Sequence, residues 1–317
     1  MATYLVTGGA GFIGSHVVHT LAERGESVRV LDNFSTGFRA NLAAVIGPIA
    51  IHEGDICDLE SIKPHFEGVE YVIHLAALPS VARSVADPIE SNAININGTL
   101  NVLMAARDAR VKRVVFAASA AAYGDNPVLP RTESLLPNPL SPYALQKLAG
   151  EYYCQVFTHV FGLEAVALRF FNIFGPRQNP DSPYTGVLSK FITAYLRGNI
   201  PVVFGDGEQS RDFTHVDNVV DATLRACTSA KAAGRVINVG TGESYTLNQT
   251  IALLNEIFGR GVKPQYGPPR PGDARHSRAD ITLARQLLGY EPVRNYPEGL
   301  RLTVEWYSAR VAGGKAH

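Results

Sequence analysis

The feature that most constrains the fold is a glycine-rich turn near the N-terminus. The apolar segment Tyr4–Val6 has a strand pattern and runs into Thr7-Gly-Gly-Ala-Gly-Phe-Ile-Gly14, and a helical pattern covers Phe12–Arg24. Glycines at the first, fourth and seventh positions after Thr7 allow a tight turn, a close backbone approach to a bound phosphate, and close packing of the helix on a sheet. Strand, glycine turn and helix in this order predict the first unit of a nucleotide-binding α/β fold.

Strands and helices alternate through the first half of the chain. Further strands are predicted at Val28–Leu31, Ile49–Ile51, Tyr71–Leu75, Arg113–Ala117 and Glu164–Arg169, and helices at Leu59–Phe66, Ile89–Ala109 and Pro142–Phe161. This alternation implies a Rossmann-type, doubly wound parallel sheet with helices on both faces. We predict a dinucleotide-binding domain over residues 1–171, to which some later segments return. A smaller mixed α/β substrate domain is predicted over residues 172–311, followed by a flexible tail at 312–317.

Composition excludes several classes of protein. The 317 residues carry 29 basic and 29 acidic side chains and no polybasic run, which argues against a nucleic-acid partner or an anionic membrane surface. No apolar segment is long enough to span a bilayer, and the N-terminus lacks the basic region of a secretion signal. The three cysteines are far apart and no histidine pair has metal-ligand spacing, so we predict no disulfide framework and no metal. We expect a cytoplasmic protein.

The end of the second predicted strand indicates which dinucleotide binds. A carboxylate at Asp32 would accept the ribose hydroxyls of NAD and repel the extra phosphate of NADP, so NAD is the predicted cofactor. Arg39 is a nearby cation that could soften this exclusion. After the third strand, Asp55 could reach the adenine, whereas Asp58 is equally suited to cap a helix.

Tyr143 and Lys147 form the candidate catalytic pair. Ser141 is a good N-cap and Pro142 suits the first position of the helix that carries them. Their i, i+4 spacing puts the phenol and the ammonium on one face, and a nearby cation predicts a lowered pKa for Tyr143, as a general base requires. Ser119 follows the carboxyl end of a predicted strand, where folds of this kind place their chemistry.

In this order and spacing, these motifs resemble the extended branch of the short-chain dehydrogenase/reductases. Within that branch the chain is most similar to the UDP-hexose 4-epimerases, from Thr3 to about Trp306. The motifs in the second half that carry the resemblance are Arg169-Phe-Phe-Asn172, Gly175-Pro-Arg-Gln-Asn-Pro180, Gly186-Val-Leu-Ser-Lys190, Ser210-Arg-Asp-Phe-Thr-His-Val-Asp217 and Arg270-Pro-Gly-Asp273.

The resemblance implies a set of site residues. The implied catalytic residues are Ser119, Tyr143 and Lys147. Those implied to bind NAD are Gly8, Gly11, Phe12, Ile13, Gly14, Asp32, Asn33, Asp55, Ile56, Leu75, Ala76, Ala77, Asn95, Tyr143 and Lys147. Those implied to bind a UDP-sugar are Ser119, Asn172, Gly186, Val187, Leu188, Phe204, Arg211, Arg270, Asp273 and Ser277. Two arginines suit a diphosphate because planar, bidentate donors match its oxygens.

The residues after Ser119 separate the reactions of this group. Related dehydratases carry Asp-Glu after the equivalent hydroxyl residue and decarboxylases keep a glutamate there, whereas this chain has Ala120 and Ala121. Because methyl groups cannot move protons, the resemblance favours 4-epimerisation of a UDP-hexose by transient oxidation at C4, rotation of the 4-keto sugar and return of the hydride. The run of alanines at 120–122 departs from the family, which more often has serine or threonine there.

Ser277 bears on the choice of sugar, because it matches the family's gate to the sugar pocket. A small residue there predicts that UDP-GlcNAc and UDP-GalNAc are converted as well as UDP-glucose and UDP-galactose. A UDP-glucuronate 4-epimerase is an alternative, with Arg83 or Arg177 meeting the carboxylate. A catalytically silent NAD-binding regulator and a net oxidoreductase that releases NADH are two others. The resemblance also implies a homodimer, in which the helices near 89–109 and 142–161 form a four-helix interface.

Overall fold

The computed structural model describes residues 1–179, 186–269 and 275–312. The strands in these ranges are β1 (Thr3–Thr7), β2 (Ser27–Asp32), β3 (Ile49–Glu53), β4 (Tyr71–His74), β5 (Arg113–Ser119), β6 (Glu164–Phe170), β7 (Ile173–Phe174), β8 (Val202–Phe204), β9 (Ser210–Arg211), β10 (Thr214–His215), β11 (Val236–Val239), β12 (Tyr245–Thr246) and β13 (Gln265–Gly267).

The α-helices in the same ranges are α1 (Phe12–Glu23), α2 (Leu59–Ile62), α3 (Val81–Ala86), α4 (Pro88–Asn92), α5 (Thr99–Asp108), α6 (Pro142–Phe161), α7 (Val187–Leu196), α8 (Val216–Thr228), α9 (Leu247–Phe258), α10 (Thr282–Leu288) and α11 (Tyr296–Ala312). A π-helical segment, Ala93–Gly98, joins α4 to α5. None of the helices in the described ranges is both long and apolar enough to cross a membrane.

Seven strands form one parallel sheet in the order β11-β6-β5-β4-β1-β2-β3. The strands are short and apolar on both sides because helices cover both faces of the sheet. Side chains from alternate positions enter two separate cores, with Val6 on the face covered by α1 and α8, and Leu5 on the face covered by α5 and α6. The predicted Rossmann-type fold is confirmed, and β11 in this sheet comes from the second half of the chain.

The helix predicted over Ile89–Ala109 is wrong in one respect, because it is interrupted by the π-helical segment. Gly98 ends that segment against Ile56, where a Cβ atom would lie 2.6 Å from Ile56 Cδ1. A side chain at this position would push the helix away from the residues that follow β3. A further difference lies in β5, which runs two residues past the predicted end and includes Ser119.

A third core lies among the short elements of the second half. Helices α7, α9 and α11 enclose it, and the strand pairs β7–β10, β9–β12 and β8–β13 lie beside it. Aromatic rings fill its centre. Phe213 and Tyr296 stack with centroids 5.0 Å apart, and Phe174 meets Tyr296 edge-on at 5.5 Å. The paired strands are only two or three residues long, so side-chain packing rather than a long ladder holds them together.

Candidate functional site

The candidate residues converge on the carboxyl edge of the parallel sheet. The glycine turn follows β1, β2 ends at Asp32, β5 ends at Ser119, and Asn172 follows β6. Because neighbouring strands run in the same direction, these ends lie side by side at one edge. The sheet therefore brings together the predicted cofactor and catalytic residues of its first six strands.

The glycine turn is packed too tightly for side chains. Gly8 has a φ of 71°, and a Cβ atom on it would lie 2.7 Å from the backbone nitrogen of Ala76. A Cβ atom on Gly14 would lie 2.1 Å from the carbonyl oxygen of Gly8. Within the described residues no side chain caps α1, so the N–H groups of its first turn, at Phe12, Ile13 and Gly14, are available to an anion. The turn fits a pyrophosphate.

Asp32 is held rigidly for a hydroxyl partner. Its side chain is buried, and its two carboxylate oxygens accept the backbone N–H groups of Ala10 (2.9 Å) and Phe34 (2.8 Å). Each oxygen keeps a second lone pair for a ligand hydroxyl. Arg39 lies over the Phe34 ring at 3.9 Å and forms an exposed ion pair with Glu53 (2.6 Å), so part of its charge is compensated.

The predicted adenine-side residues are linked to one another. Asn33 Nδ2 donates to Asp55 Oδ2 (3.0 Å), and Asp55 Oδ1 accepts the backbone N–H of Cys57 (2.8 Å). Ile56 is buried, and its carbonyl oxygen accepts Nδ2 of Asn101 (2.9 Å). Asp58 caps α2 by accepting the N–H of Ser61 (3.2 Å), which confirms the prediction that it suits a helix cap.

The segment after β4 forms the next part of the edge. The Leu75 N–H donates to Thr7 O (3.1 Å) and the Ala76 N–H to Thr7 Oγ1 (3.3 Å), and Ala77 follows. Asn95 accepts the Leu78 N–H (2.8 Å) and donates to Leu78 O (3.2 Å). The side-chain amide of Asn95 therefore holds the backbone of Leu78, in the segment that lines this part of the site.

The catalytic candidates lie together at the start of α6. Ser141 caps the helix by accepting the Ala144 N–H (3.2 Å), as predicted. Half-buried Tyr143 interacts with the side chain of Ser119, whose Oγ accepts the Ala121 N–H (3.2 Å). Lys147 is buried one turn further on, and its Nζ donates to Ala117 O (2.9 Å), two residues before Ser119. The helix therefore presents a phenol, a hydroxyl partner and an amine at one strand end.

The expected lowering of the Tyr143 pKa is wrong for the protein alone. Burial raises the pKa of Tyr143, and the hydrogen bond from Ser119 offsets only part of this rise. Burial also lowers the pKa of Lys147 to about 8, so its positive charge is itself disfavoured. Desolvation penalises both ions, and sequence spacing carries no information about solvent exposure.

The candidate substrate residues around β9 are linked by hydrogen bonds to backbone carbonyl oxygens. Arg211 ends β9, and its Nη1 donates to Ser210 O (2.9 Å) and Arg275 O (3.2 Å). The Ser277 N–H donates to Ser210 O (3.0 Å), which places buried Ser277 beside the same strand. The side chain of Asn172 is exposed and donates to Asp212 O (3.2 Å). Arg211 is therefore part of the two-residue strand β9, and Asn172 and Ser277 lie beside it.

Other predicted substrate residues have different surroundings. Gly186 precedes α7 and half-buried Val187 begins it, but the side chain of Leu188 is buried in the third core. Only the backbone of Leu188 remains for a ligand. Phe204 ends β8, and its carbonyl oxygen accepts Nε2 of Gln209 (2.6 Å). Arg270 and Asp273 lie outside the described residues.

Three residues that sequence reasoning missed shape the site. Ser84 Oγ accepts the Tyr143 N–H (3.1 Å). Gln146 is buried and lies between Tyr143 and Lys147 in the sequence. Buried Asp212 accepts the N–H and hydroxyl of Thr241 and the N–H groups of Gly242 and Ala279 at 2.8 to 3.1 Å. It ties the Ser277 segment to the loop after β11, and only its position beside Arg211 could have drawn attention to it.

Over the described ranges, no group of three His, Cys, Asp or Glu side chains could hold a metal ion.

Comparisons with known proteins identify the protein family. A family model described as NAD dependent epimerase/dehydratase family matches residues 4–240. The UDP-glucose 4-epimerase of Mycolicibacterium smegmatis is 39% identical over 308 residues, covering 96% of this chain and 97% of that protein. The solved UDP-N-acetylglucosamine 4-epimerase from Methanobrevibacter ruminantium M1, in complex with UDP-N-acetylmuramic acid, is 40% identical with a TM-score of 0.93, covering 98% of this chain and 99% of that chain. MoeE5 in complex with UDP-glucuronic acid and NAD is 35% identical with a TM-score of 0.88, covering 97% and 99%.

Proposed function

This chain belongs to the NAD-dependent epimerase/dehydratase family, and on that premise we propose that it is a UDP-sugar 4-epimerase with NAD as its cofactor. The contact between Tyr143 and Ser119 at the end of β5, with Lys147 one turn away, is the observation that carries the proposal. The glycine turn and fixed Asp32 fit a dinucleotide beside these groups. The absence of an acidic side chain at Ala120 and Ala121 supports epimerisation over elimination or decarboxylation.

The residues divide the chemistry at C4 between them. Bound NAD would supply a reversible hydride acceptor, and the positive charge of its oxidised ring would favour the phenolate that burial alone disfavours. Tyr143 takes the proton of the sugar 4-hydroxyl and later returns it, while Ser119 hydrogen-bonds the same oxygen. Lys147 would support the phenolate and bind the nicotinamide ribose. The 4-keto sugar turns about its diphosphate link before reduction, which inverts the stereocentre.

The sugar side of the site is proposed to hold the nucleotide and leave the hexose free to turn. Arg211, with Arg270 from outside the described residues, would bind the diphosphate, assisted by Asn172 and the backbone at the start of α7. Asp273 would bind the uridine ribose. Small Ser277 would leave room for an N-acetyl group, so we propose UDP-glucose/UDP-galactose and UDP-GlcNAc/UDP-GalNAc as substrates.

Little in the site favours a uronate. Arg83 donates to both carboxylate oxygens of Glu90 (2.8 and 2.9 Å), so one of the two cations considered for a glucuronate carboxylate already has an acidic partner. Burial lowers the pKa of Arg177 to about 10, and this side chain interacts electrostatically with Asp217 and Glu23. Both arginines have carboxylate neighbours without a uronate.

The exposed face of α6 supports the proposal of a homodimer. Leu145, Tyr152 and Val156 are spaced by seven and four residues and are 54%, 53% and 45% exposed. This spacing lines them along one side of the helix, next to the segment from α4 to α5. Light scattering of the pure protein should give the mass of a dimer, and a Val156→Glu variant should give that of a monomer. A monomeric parent protein would contradict the proposal.

One assay tests the proposed reaction against its rivals. The pure protein is incubated separately with UDP-galactose, UDP-GlcNAc and UDP-glucuronate, and both the epimer product and NADH absorbance are followed. Epimer formation without accumulation of NADH is expected with the first two substrates. Steady accumulation of NADH would indicate a net oxidoreductase, and conversion of UDP-glucuronate alone would indicate the uronate epimerase. No conversion of any substrate by NAD-loaded protein would overturn the assignment.

A further inference from the structure

A chain of buried hydrogen bonds begins at the glycine-turn strand. Thr7 Oγ1 lies 2.7 Å from His74 Nδ1, and His74 Nε2 lies 3.1 Å from Thr99 Oγ1. Thr99 uses its hydroxyl proton to donate to Asn95 O (2.7 Å), so it accepts from His74. His74 therefore carries its proton on Nε2 and accepts from Thr7 at Nδ1. The chain crosses β1, β4 and α5 and reaches the π-helical segment.

The side chain of Asn95 extends this chain to the catalytic helix. Besides its two bonds to the Leu78 backbone, Asn95 Nδ2 donates to Gln146 Oε1 (2.9 Å). Gln146 Nε2 in turn donates to Ser91 Oγ (2.8 Å). The six side chains of this network are at most 3% exposed: Thr7, His74, Thr99, Asn95, Gln146 and Ser91. A buried polar network with paired members is rigid, and removal of one partner leaves another unsatisfied.

The position of Gln146 gives these bonds a consequence for Tyr143. Ser91 and Asn95 lie one helical turn apart, and Gln146 bonds to both, which fixes the rotation of α6 about its axis. A rotation of about 10° would move a side-chain group about 6 Å from the helix axis by about 1 Å. A misplacement of about 1 Å can cost about 10²-fold in rate.

We propose that Gln146 is a positioning residue that couples the cofactor-side wall, Leu75–Leu78, to the placement of Tyr143 and Lys147. Asn95 is the link, because one amide holds both Leu78 and Gln146. Loss of the Gln146 bonds then weakens NAD binding and misaligns the catalytic pair together. The effect on turnover rests on the proposed function, whereas the effect on NAD affinity rests only on the cofactor.

Gln146→Met tests the proposal because it preserves the length of the side chain and removes both hydrogen bonds. We expect kcat to fall by about 10-fold or more while KM for the UDP-sugar changes by less than about 3-fold. NAD affinity, measured by titration calorimetry without substrate, should fall by about 5-fold. Gln155→Met is the matched control, since Gln155 is half-buried on the same helix and outside the network. It should leave kcat and NAD affinity unchanged.

Two further variants keep the test decisive. Gln146→Glu retains an acceptor for Asn95 and should recover part of the NAD affinity lost in Gln146→Met. Ser91→Ala removes only one of the two Gln146 bonds and should reduce kcat by a smaller factor than Gln146→Met. This variant replaces Gln146→Met as the test if Gln146→Met does not fold. Wild-type NAD affinity and kcat in a folded Gln146→Met, or in Ser91→Ala in its place, would overturn the proposal. If wild-type protein converts no UDP-sugar, the proposed function fails, yet the difference in NAD affinity between Gln146→Met and Gln155→Met still tests the coupling.

Discussion

The two halves of the candidate site are built differently. On the cofactor side, the side chains project from long elements, with Tyr143 and Lys147 on the helix Pro142–Phe161 and Ser119 on a seven-residue strand. On the sugar side, Arg211 lies on a two-residue strand, and the segment of Ser277 is joined to its surroundings by isolated bridges and by bonds to Ser210 and Asp212. The first arrangement suits chemistry that needs fixed geometry. The second suits the proposed sugar pocket, in which the hexose would have to turn.

Tyr143→Phe should have the largest effect on turnover. It tests whether the cofactor side, built on long elements and called the rigid half below, carries the chemistry; the sugar side is called the adaptable half. Loss of the phenol removes the acid–base group, and kcat should fall by about 10²–10⁴-fold. NAD and UDP-sugar affinity should change little, because the ring remains. Tyr152→Phe on the exposed face of α6 is the control and should retain wild-type kcat. Near-normal epimerisation by Tyr143→Phe would remove the distinction between the halves.

Glu151→Gln tests how firmly the rigid half is anchored. Glu151, one turn beyond Lys147, receives two bonds from Arg169 on β6 (2.7 and 2.8 Å), and the two side chains are 2% and 4% exposed. Breaking a buried ion pair on one side should lower the free energy of unfolding by about 3–5 kcal/mol in urea titrations. Glu60→Gln disrupts the exposed pair with Lys63 and should cost less than about 1 kcal/mol. Equal costs for the two variants would show that the anchor is weak.

Ser277→Tyr tests whether the adaptable half selects the sugar. A bulky ring at this buried position should reduce kcat/KM for UDP-GlcNAc by about 10-fold or more relative to UDP-glucose. Ser277→Ala keeps the position small and should leave the ratio unchanged. An unchanged ratio in Ser277→Tyr would mean that another residue bounds the N-acetyl pocket.

His74→Gln concerns the buried network on the cofactor side, and its expected effect is confined to the pH dependence of stability. Burial lowers the pKa of His74 to about 3, so between about pH 6.5 and 3 the unfolded chain binds a proton that the folded protein does not. Lowering the pH through this window therefore lowers the free energy of unfolding, by up to about 1.4 kcal/mol per pH unit from this group. The unfolding free energy of His74→Gln should fall less steeply from pH 6.5 to 4.5. His159→Gln, an exposed control on α6, should keep the wild-type slope.

How much could be predicted differs between the two halves. Apolar periodicity located the sheet strands of the first half, and the helix signals at Ser141 and Pro142 gave the start of α6. Reasoning from sequence missed the π-helical segment, whose last residue, Gly98, packs against Ile56, a residue distant in the chain. The helical pattern around Leu188 could not separate a core residue from a ligand-binding one. Two-residue strands such as β9 have no periodicity to detect.

The sequence by itself determined the Rossmann-type fold, the family and the identity of the cofactor, since these depend on local patterns: strand alternation, glycine spacing and the aspartate that ends β2. Only the tertiary structure decided which groups are buried and what they contact. Burial raises the pKa of Tyr143 despite a lysine one turn away, and the lysine points at Ala117 O. Solvation and long-range hydrogen bonds, such as those between Thr7 and His74 or Asn95 and Gln146, join residues that no local pattern connects.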